Sequence, residues 1–306
     1  MDSFEIGVIL PGVAVQRRDG LTLAEAARHA EQAGLDGVWH GDHLAVGGPV
    51  LDAPIALATA AAVTSRIRVG TSVFIPALRA LVWAAKQVAT LQYVSGERLV
   101  LGVGSGGGAA QWAAAGVPFG ERGRRTEVAL EVLPRLLAGE PVLLPEVDAV
   151  DANRAGQPVQ LAPAVAMPPV WVGNASMAAI RRAARLGDGW FPSLISPEEV
   201  ARGRAGLHEL AAGHGRPAPV ITIGGAAHVG GGPAAQAEIA AGISSGYGRP
   251  LAEVAGIPLT GQPAEVAERL AEYRAAGASH AVIGISGGDW RAQVELLAEV
   301  KGLLLR

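Results

Sequence analysis

The sequence predicts an α/β fold, a closed (β/α)8 TIM barrel, and three observations carry that prediction. Short apolar, β-branched runs alternate with longer amphipathic ones along the whole chain. Eight such pairs follow one another without a topological break, which favours closure over an open doubly wound sheet. A length of 306 residues suits one barrel, so residues 1–306 are expected to form a single domain.

The first strand covers 4–10 and stops at Pro11-Gly12; Thr22-x-x-Glu25 then reads as the capping box of a helix that ends at Gly34. Strand two, 37–41, precedes a helix over 52–65, and strand three, 67–75, precedes one over 81–94. Strand four, 98–103, runs into the glycine-rich segment 104–108, followed by a helix over 121–138. The stretch 139–169 is an excursion on the barrel, with a short extra strand at 159–161. Strands five (170–172) and six (189–191) lead into helices over 175–186 and 197–212. Strand seven, 220–223, is followed by a loosely patterned stretch, 230–261, and a helix over 264–276. Strand eight, 281–285, and a helix over 290–305 close the chain. The barrel thus carries insertions after strands four and seven.

Composition removes several function classes. There are no cysteines, which excludes disulfides, thiolate catalysis, iron–sulfur clusters and Cys-type zinc sites. The net charge is −3 with scattered signs, so neither nucleic acid nor an anionic membrane is expected as a partner. No apolar run reaches the roughly 18 residues of a membrane span. Met1-Asp2-Ser3-Phe4 lacks a basic leader region, and a cytoplasmic location is expected.

Barrel enzymes place their chemistry just after the strands, which gives every motif a test. His40-Gly41-Asp42-His43 ends strand two and is the densest polar cluster in the chain. Asp42 could simply hold backbone amides of a turn. Strand alternation puts His40 and Asp42 on one face and His43 on the other, and no matching cluster follows strands four to six. Proton transfer or substrate hydrogen bonding therefore outweighs a metal site. Gly102-x-Gly104-x-x-Gly107 matches the dinucleotide fingerprint formally, but the continuation from Gly108 to Pro118 reads as a loop and not as the helix a Rossmann fold needs. Ser105, Gly106 and Gly107 instead suit a loop whose backbone approaches a flat ligand. Gly284-x-Ser286-x-Gly288 resembles a nucleophile elbow, yet the last histidine, His280, precedes it, which rules out a hydrolase triad in that order; a tight turn, or amides facing an anion, fits better. Gly173-Asn174-Ala175-Ser176 joins strand five directly to a helix. It reads equally well as an ordinary N-cap and as an anion site. Trp39 and Trp190 are expected near the strand ends.

Several stretches together resemble the luciferase-like monooxygenase family of flavin- and deazaflavin-dependent oxidoreductases. They include Val38-Trp39-His40-Gly41-Asp42-His43, the runs 66–71 and 98–104, Gly116-Val117-Pro118-Phe119 with Glu121-Arg122-Gly123-Arg124-Arg125, and 184–190. The resemblance implies a bacterial-luciferase-like barrel with coenzyme F420, or alternatively FMN, across the strand carboxyl ends. It implies a cofactor phosphate at Gly173, Asn174, Ala175 and Ser176, and a non-prolyl cis peptide at Ser72–Val73 behind the ring. It implies Asp42 at the ring edge and His43 facing the substrate as the proton-transfer residue. It also implies a homodimer. Sugar-phosphate dehydrogenases of the family carry a glutamate where Ser105-Gly106-Gly107 stands here, which speaks against a sugar-phosphate substrate, as does the scarcity of lysine (Lys86 and Lys301). Arg79-Ala80-Leu81 departs from the Arg-x-Pro common at that place, with no role attached to Arg79. The expected activity is F420-dependent hydride transfer to or from a small organic molecule. The alternatives are an FMN-dependent monooxygenase, a barrel that binds flavin or a metabolite without turnover, and a metal-dependent amidohydrolase.

Overall fold

The computed structural model describes residues 4–144 and 157–305. Its strands are β1 (Glu5–Ile9), β2 (Gly37–His40), β3 (Arg68–Thr71), β4 (Leu99–Val103), β5 (Val170–Gly173), β6 (Gly189–Phe191), β7 (Val220–Val229), β8 (Leu259–Gly261) and β9 (His280–Ile285). They form one sheet in the order β6-β5-β4-β3-β2-β1-β9-β7-β8, and an added β6–β7 pairing closes it. Every ladder is parallel. The ring is therefore β1 to β7 plus β9, the closed eight-strand parallel barrel the sequence predicts, and β8 leans on the far end of β7.

The barrel is wrapped by α1 (Val13–Asp19), α2 (Leu23–Gln32), α3 (Ala53–Ala62), α4 (Leu81–Val94), α5 (Ala109–Ala114), α6 (Arg122–Leu137), α7 (Met177–Leu186), α8 (Pro197–Gly213), α9 (Pro233–Tyr247), α10 (Leu251–Val254), α11 (Pro263–Ala275) and α12 (Trp290–Leu304). Strand alternation explains the main core: Ile6, Val8, Val38, Val69, Leu101, Val172, Ile223 and Ile283 point outward and pack beneath the helices. The Thr22–Glu25 box starts α2 as read, with Thr22 accepting from the Glu25 amide and Glu25 accepting from the Thr22 amide at 2.8 Å. No helix among the described residues is long and apolar enough to cross a membrane.

Four expectations need correction. The run 109–114, expected as loop, is helical, because an alanine-rich segment has strong helix propensity and buries Trp112 completely. β7 runs on to Val229 through glycines and alanines of low strand propensity, since β9 on one side and β8 on the other supply the pairing. The stretch after it contains α9, α10 and β8, the insertion expected there. Strand three does not continue to Ile75: its ladder ends at Thr71 and resumes only as a single Phe74–Val103 bridge. The extra strand at 159–161 reduces to one antiparallel bridge between Val159 and Val142, and part of that excursion (145–156) lies outside the described residues.

Candidate active site

The lower half of the barrel is filled. Trp39 and Trp171 stack with ring centroids 5.2 Å apart, and Phe191 meets their edges at 5.6 and 6.1 Å. Room for those rings comes from glycines: a methyl group at Gly7, Gly70 or Gly189 would overlap an indole, and one at Gly37 would lie 2.7 Å from Trp39 Nε1. Trp39, one residue before the end of β2, is part of this plug. Trp190 faces outward under Gly203 of α8, and its indole N–H donates to the Asn174 carbonyl at 2.9 Å. Below the plug, Glu5 accepts from Arg68 at 2.6 Å and sits 3.0 Å from His280 Nε2.

Above the plug the inward positions at the strand ends change character. Gly41, Gly102, Gly173, Gly224 and Gly284 follow inward residues by two positions, so backbone lines the upper mouth. Into this rim projects Val73. The Ser72–Val73 peptide is cis, as the resemblance implies, and interrupts the β3 ladder. The Ser72 amide still donates to the His40 carbonyl at 2.9 Å, and the Phe74 amide rejoins β4 at the Gly102 carbonyl at 2.7 Å. Val73 is the side chain pushed out between these anchors, and it lies against Gly104 and Gly173; a methyl group on Gly173 would meet its Cγ1 at 2.9 Å. The Ser72 hydroxyl is buried without a hydrogen-bond partner among the described residues.

The strand-two cluster divides its duties. Burial pushes the His40 imidazole below its ordinary 6.5, against the partial pull of a 2.8 Å bond to the Gly41 carbonyl. Asp42 is 2 % exposed and works inside the protein: Oδ2 accepts from the Ile75 amide and Oδ1 from Arg79 Nη2, both at 2.9 Å. Holding a backbone amide, one of its sequence readings, is thus what Asp42 does here. His43 is exposed and folds back over the mouth; a methyl on Gly41 would lie 3.5 Å from its Nε2 and 3.5 Å from the Ser72 carbonyl. His43 and Ser72–Val73 therefore stand side by side, and Val73 reaches from there to Gly173. The strand-two and strand-five segments are joined through the Ser72–Val73 pair.

At the strand-five end Asn174 takes a positive φ of 89°. Its side chain accepts from the Ser176 amide at 2.8 Å, and Ser176 caps α7 through the Ala179 amide at 3.4 Å. The first-turn amides of Met177 and Ala178 have no intrahelical partner, as in any helix, and lie at the mouth's outer edge beside exposed Ala175. The N-cap reading is therefore what the side chains of this segment show. In the strand-four loop, Gly106 adopts φ 63° and packs against Ile75 and Trp112, so Ser105, Gly106 and Gly107 continue the same rim.

Three residues of the site escaped the sequence reading. Arg79 holds Asp42. Gln111, 3 % exposed, donates to the Gly107 carbonyl and accepts from the Leu44 amide at 3.4 Å, tying the strand-four loop to the loop that carries His43. His228 stands in the mouth against Gly287, on the β7–β9 side. Its inward position follows from alternation with Thr222, Gly224 and Ala226, a signal hidden by the truncated strand assignment. Gly284-x-Ser286-x-Gly288 is a tight turn: the Ser286 amide donates to the Ala227 carbonyl at 2.8 Å and Gly288 has φ 76°.

A model of the luciferase-like monooxygenases matches residues 8–280. The chain belongs to that family. Relatives in the family include an F420-dependent glucose-6-phosphate dehydrogenase of Kineococcus radiotolerans, 34% identical over 184 residues covering 55% of this chain and 51% of the relative. The chain spans about a third to three-fifths of the length of the curated relatives it matches. An F420-dependent secondary alcohol dehydrogenase, solved with an F420–acetone adduct, superposes with a TM-score of 0.81 over 99% of both chains at 17% identity. A monooxygenase from Streptomyces bottropensis does so at 0.76, covering 96% of this chain and 98% of its own, with 21% identity. At such identities these two likenesses speak to the fold, a luciferase-like barrel.

Proposed function

We propose that this luciferase-like protein is an F420-dependent oxidoreductase, a reductase or dehydrogenase acting on a small organic molecule. One observation carries the reading: His43 and the Ser72–Val73 turn lie together beside Gly41, and Val73 lies against Gly104 and Gly173, four residues before α7 begins. This arrangement fits a flat tricyclic cofactor with an anionic tail. Backbone at Gly41, Gly104 and Gly173 leaves the floor low, Val73 supplies an apolar surface, and the buried Ser72 hydroxyl still lacks a partner among the described residues. The amides at Ala175, Met177 and Ala178, with the helix dipole, suit the phosphate. Bound there, the deazaflavin supplies a carbon that carries hydride.

The chain's own residues do the rest. Val73 and the glycine rim set the plane, and Ser105 to Gly107 bound it on the strand-four side. His43 donates a proton to, or takes one from, the substrate heteroatom as hydride moves. Asp42 positions rather than reacts. Lys86 donates to the Ala162 carbonyl at 2.6 Å and Lys301 to Asp36 at 2.7 Å, so neither serves a phosphorylated sugar at the mouth. An uncharged alcohol or carbonyl compound fits better than the sugar phosphate named for the curated relatives. The exposed apolar residues Ile55 of α3 and Trp83 and Tyr93 of α4 support a homodimer through that face, to be read from the mass in solution.

Titrating F420 and FMN separately into the purified protein, with tryptophan fluorescence as the signal, tests the reading. Saturable quenching by F420 is expected, followed by F420 bleaching or recovery with secondary alcohols and ketones. Quenching by FMN alone would replace the reading with a flavin monooxygenase, and quenching by neither would end it.

A further inference from the structure

A guanidinium lies under the floor of this site without touching the mouth. Arg79 follows the 3-10 turn Pro76–Leu78, and its side chain turns back to Asp42 at 2.9 Å. Its plane also lies over the Phe74 ring, 4.6 Å from the centroid, and Nη1 reaches Gln87 of α4 at 3.4 Å. Asp42 is a buried carboxylate, and such a charge persists only when paired and hydrogen-bonded. Its second oxygen holds the Ile75 amide. Ile75 in turn packs on Gly106, where a methyl group would meet its Cδ1 at 3.0 Å. Arg79, Asp42, Ile75 and Gly106 thus make one chain of contacts through the loops after β2, β3 and β4, and Val73 lies two residues before Ile75.

We propose that Arg79 is a positioning residue for cofactor binding: acting through Asp42, it fixes the Val73–Ile75 segment that floors the site. This rests on the proposed function for its ligand, though not for its mechanics. The physical logic is that Arg79 neutralises a carboxylate the protein needs as an acceptor for the Ile75 amide. Remove the cation and Asp42 is left a buried, unpaired charge, so it withdraws toward water, and the Ile75 anchor goes with it.

The test uses three variants of the whole chain: Arg79→Met, Arg79→Lys and the double variant Asp42→Asn with Arg79→Met. Hydrogen exchange of the 72–79 segment in the unliganded protein reads the anchor directly. Cofactor affinity by tryptophan quenching reads its consequence. Arg79→Met is expected to speed exchange in that segment and weaken F420 binding about tenfold or more, and Arg79→Lys to lie between it and the parent. The double variant decides the matter, because a neutral asparagine still accepts the Ile75 amide and leaves no charge unpaired. It should recover most of both losses. If adding Asp42→Asn rescues nothing, Arg79 acts only through Phe74 and Gln87 packing and the proposal fails. Unchanged exchange in Arg79→Met overturns it equally. Should Arg79→Met fail to fold, the double variant and Arg79→Lys still carry the comparison. A wrong functional reading shows itself differently: the parent protein would bind no F420, while the exchange results stand.

Discussion

The two mouths of the barrel are built from the same residue type put to opposite uses. At the lower end, Gly7, Gly37, Gly70 and Gly189 surrender their side chains so that Trp39 and Trp171 can close the bore, and a polar cluster of Glu5, Arg68 and His280 lies beneath it. At the upper end Gly102, Gly104, Gly173 and Gly224 also give way to protein atoms, whereas at Gly41 and Gly284 an added methyl would meet its nearest neighbours in ordinary contact, at 3.5 and 3.6 Å. Each glycine named at the bottom makes room for an indole; of those at the top, only Gly41 and Gly284 would take a methyl group without displacing protein. Barrel enzymes concentrate stability at the amino end and chemistry at the carboxyl end, and here the division can be followed residue by residue.

The largest effect should come from the upper mouth. His43→Ala is expected to lower turnover about a hundredfold or more, because it removes a positioned proton carrier. Stability should change by less than about 0.5 kcal/mol, since the side chain is exposed and no structural anchor depends on it. Steady-state rates and a thermal melt read both, and an active His43→Ala would move the chemistry elsewhere, with His228 the next candidate. Gly70→Ala reverses the pattern. Its methyl overlaps the Trp39 ring, so we expect a loss of about 1–3 kcal/mol in denaturant unfolding with cofactor affinity intact. Gly284→Leu sharpens the contrast from the other side. Unfolding should shift by no more than about 0.5 kcal/mol, while quenching by F420 weakens about tenfold as the side chain enters the mouth. Equal stability losses at Gly70 and Gly284 would erase the distinction between the two ends.

The sequence exposes this architecture unevenly. Local signals read well: the Thr22–Glu25 box and the eight apolar runs are decided by nearest neighbours in the chain, and they hold. Glycine- and alanine-rich stretches carry no period, so α5, α9 and the upper half of β7 are decided by pairing and packing, and α1, with seven residues, is too short to show one. In the site, Asp42 and His43 stand out because ionisable residues at a strand end have no packing reason to be there. The work Asp42 does is another matter. Its partners Ile75 and Arg79 lie 33 and 37 positions away, and only the closed barrel brings them under it. Gln111 and His228 are single polar residues in bland surroundings, legible only after their strands and helices have been placed.

The smallest expected difference between the mouths is in their response to acid. At the bottom, burial works to raise the Glu5 pKa, but His280 and Arg68 outweigh it and hold the carboxyl below its ordinary 4.5. At the top, desolvation holds His40 below 6.5. Each group therefore binds fewer protons folded than unfolded, so each makes stability rise with pH through its own window. For His40 that support is complete above pH 6.5 and declines as pH falls below it; for Glu5 the decline begins only below 4.5. The melting temperature should therefore fall in two stages on acidification, the first belonging to His40 on the outer face of β2, next to the upper rim. His40→Asn should flatten the first stage, which opens below pH 6.5, and leave the lower one, while Glu5→Gln should do the reverse. A His40→Asn protein whose melting curve tracks the parent across that first interval would show that the upper rim tolerates a charged imidazole beside it, and the contrast between a sealed end and a tuned end would then rest on glycine alone.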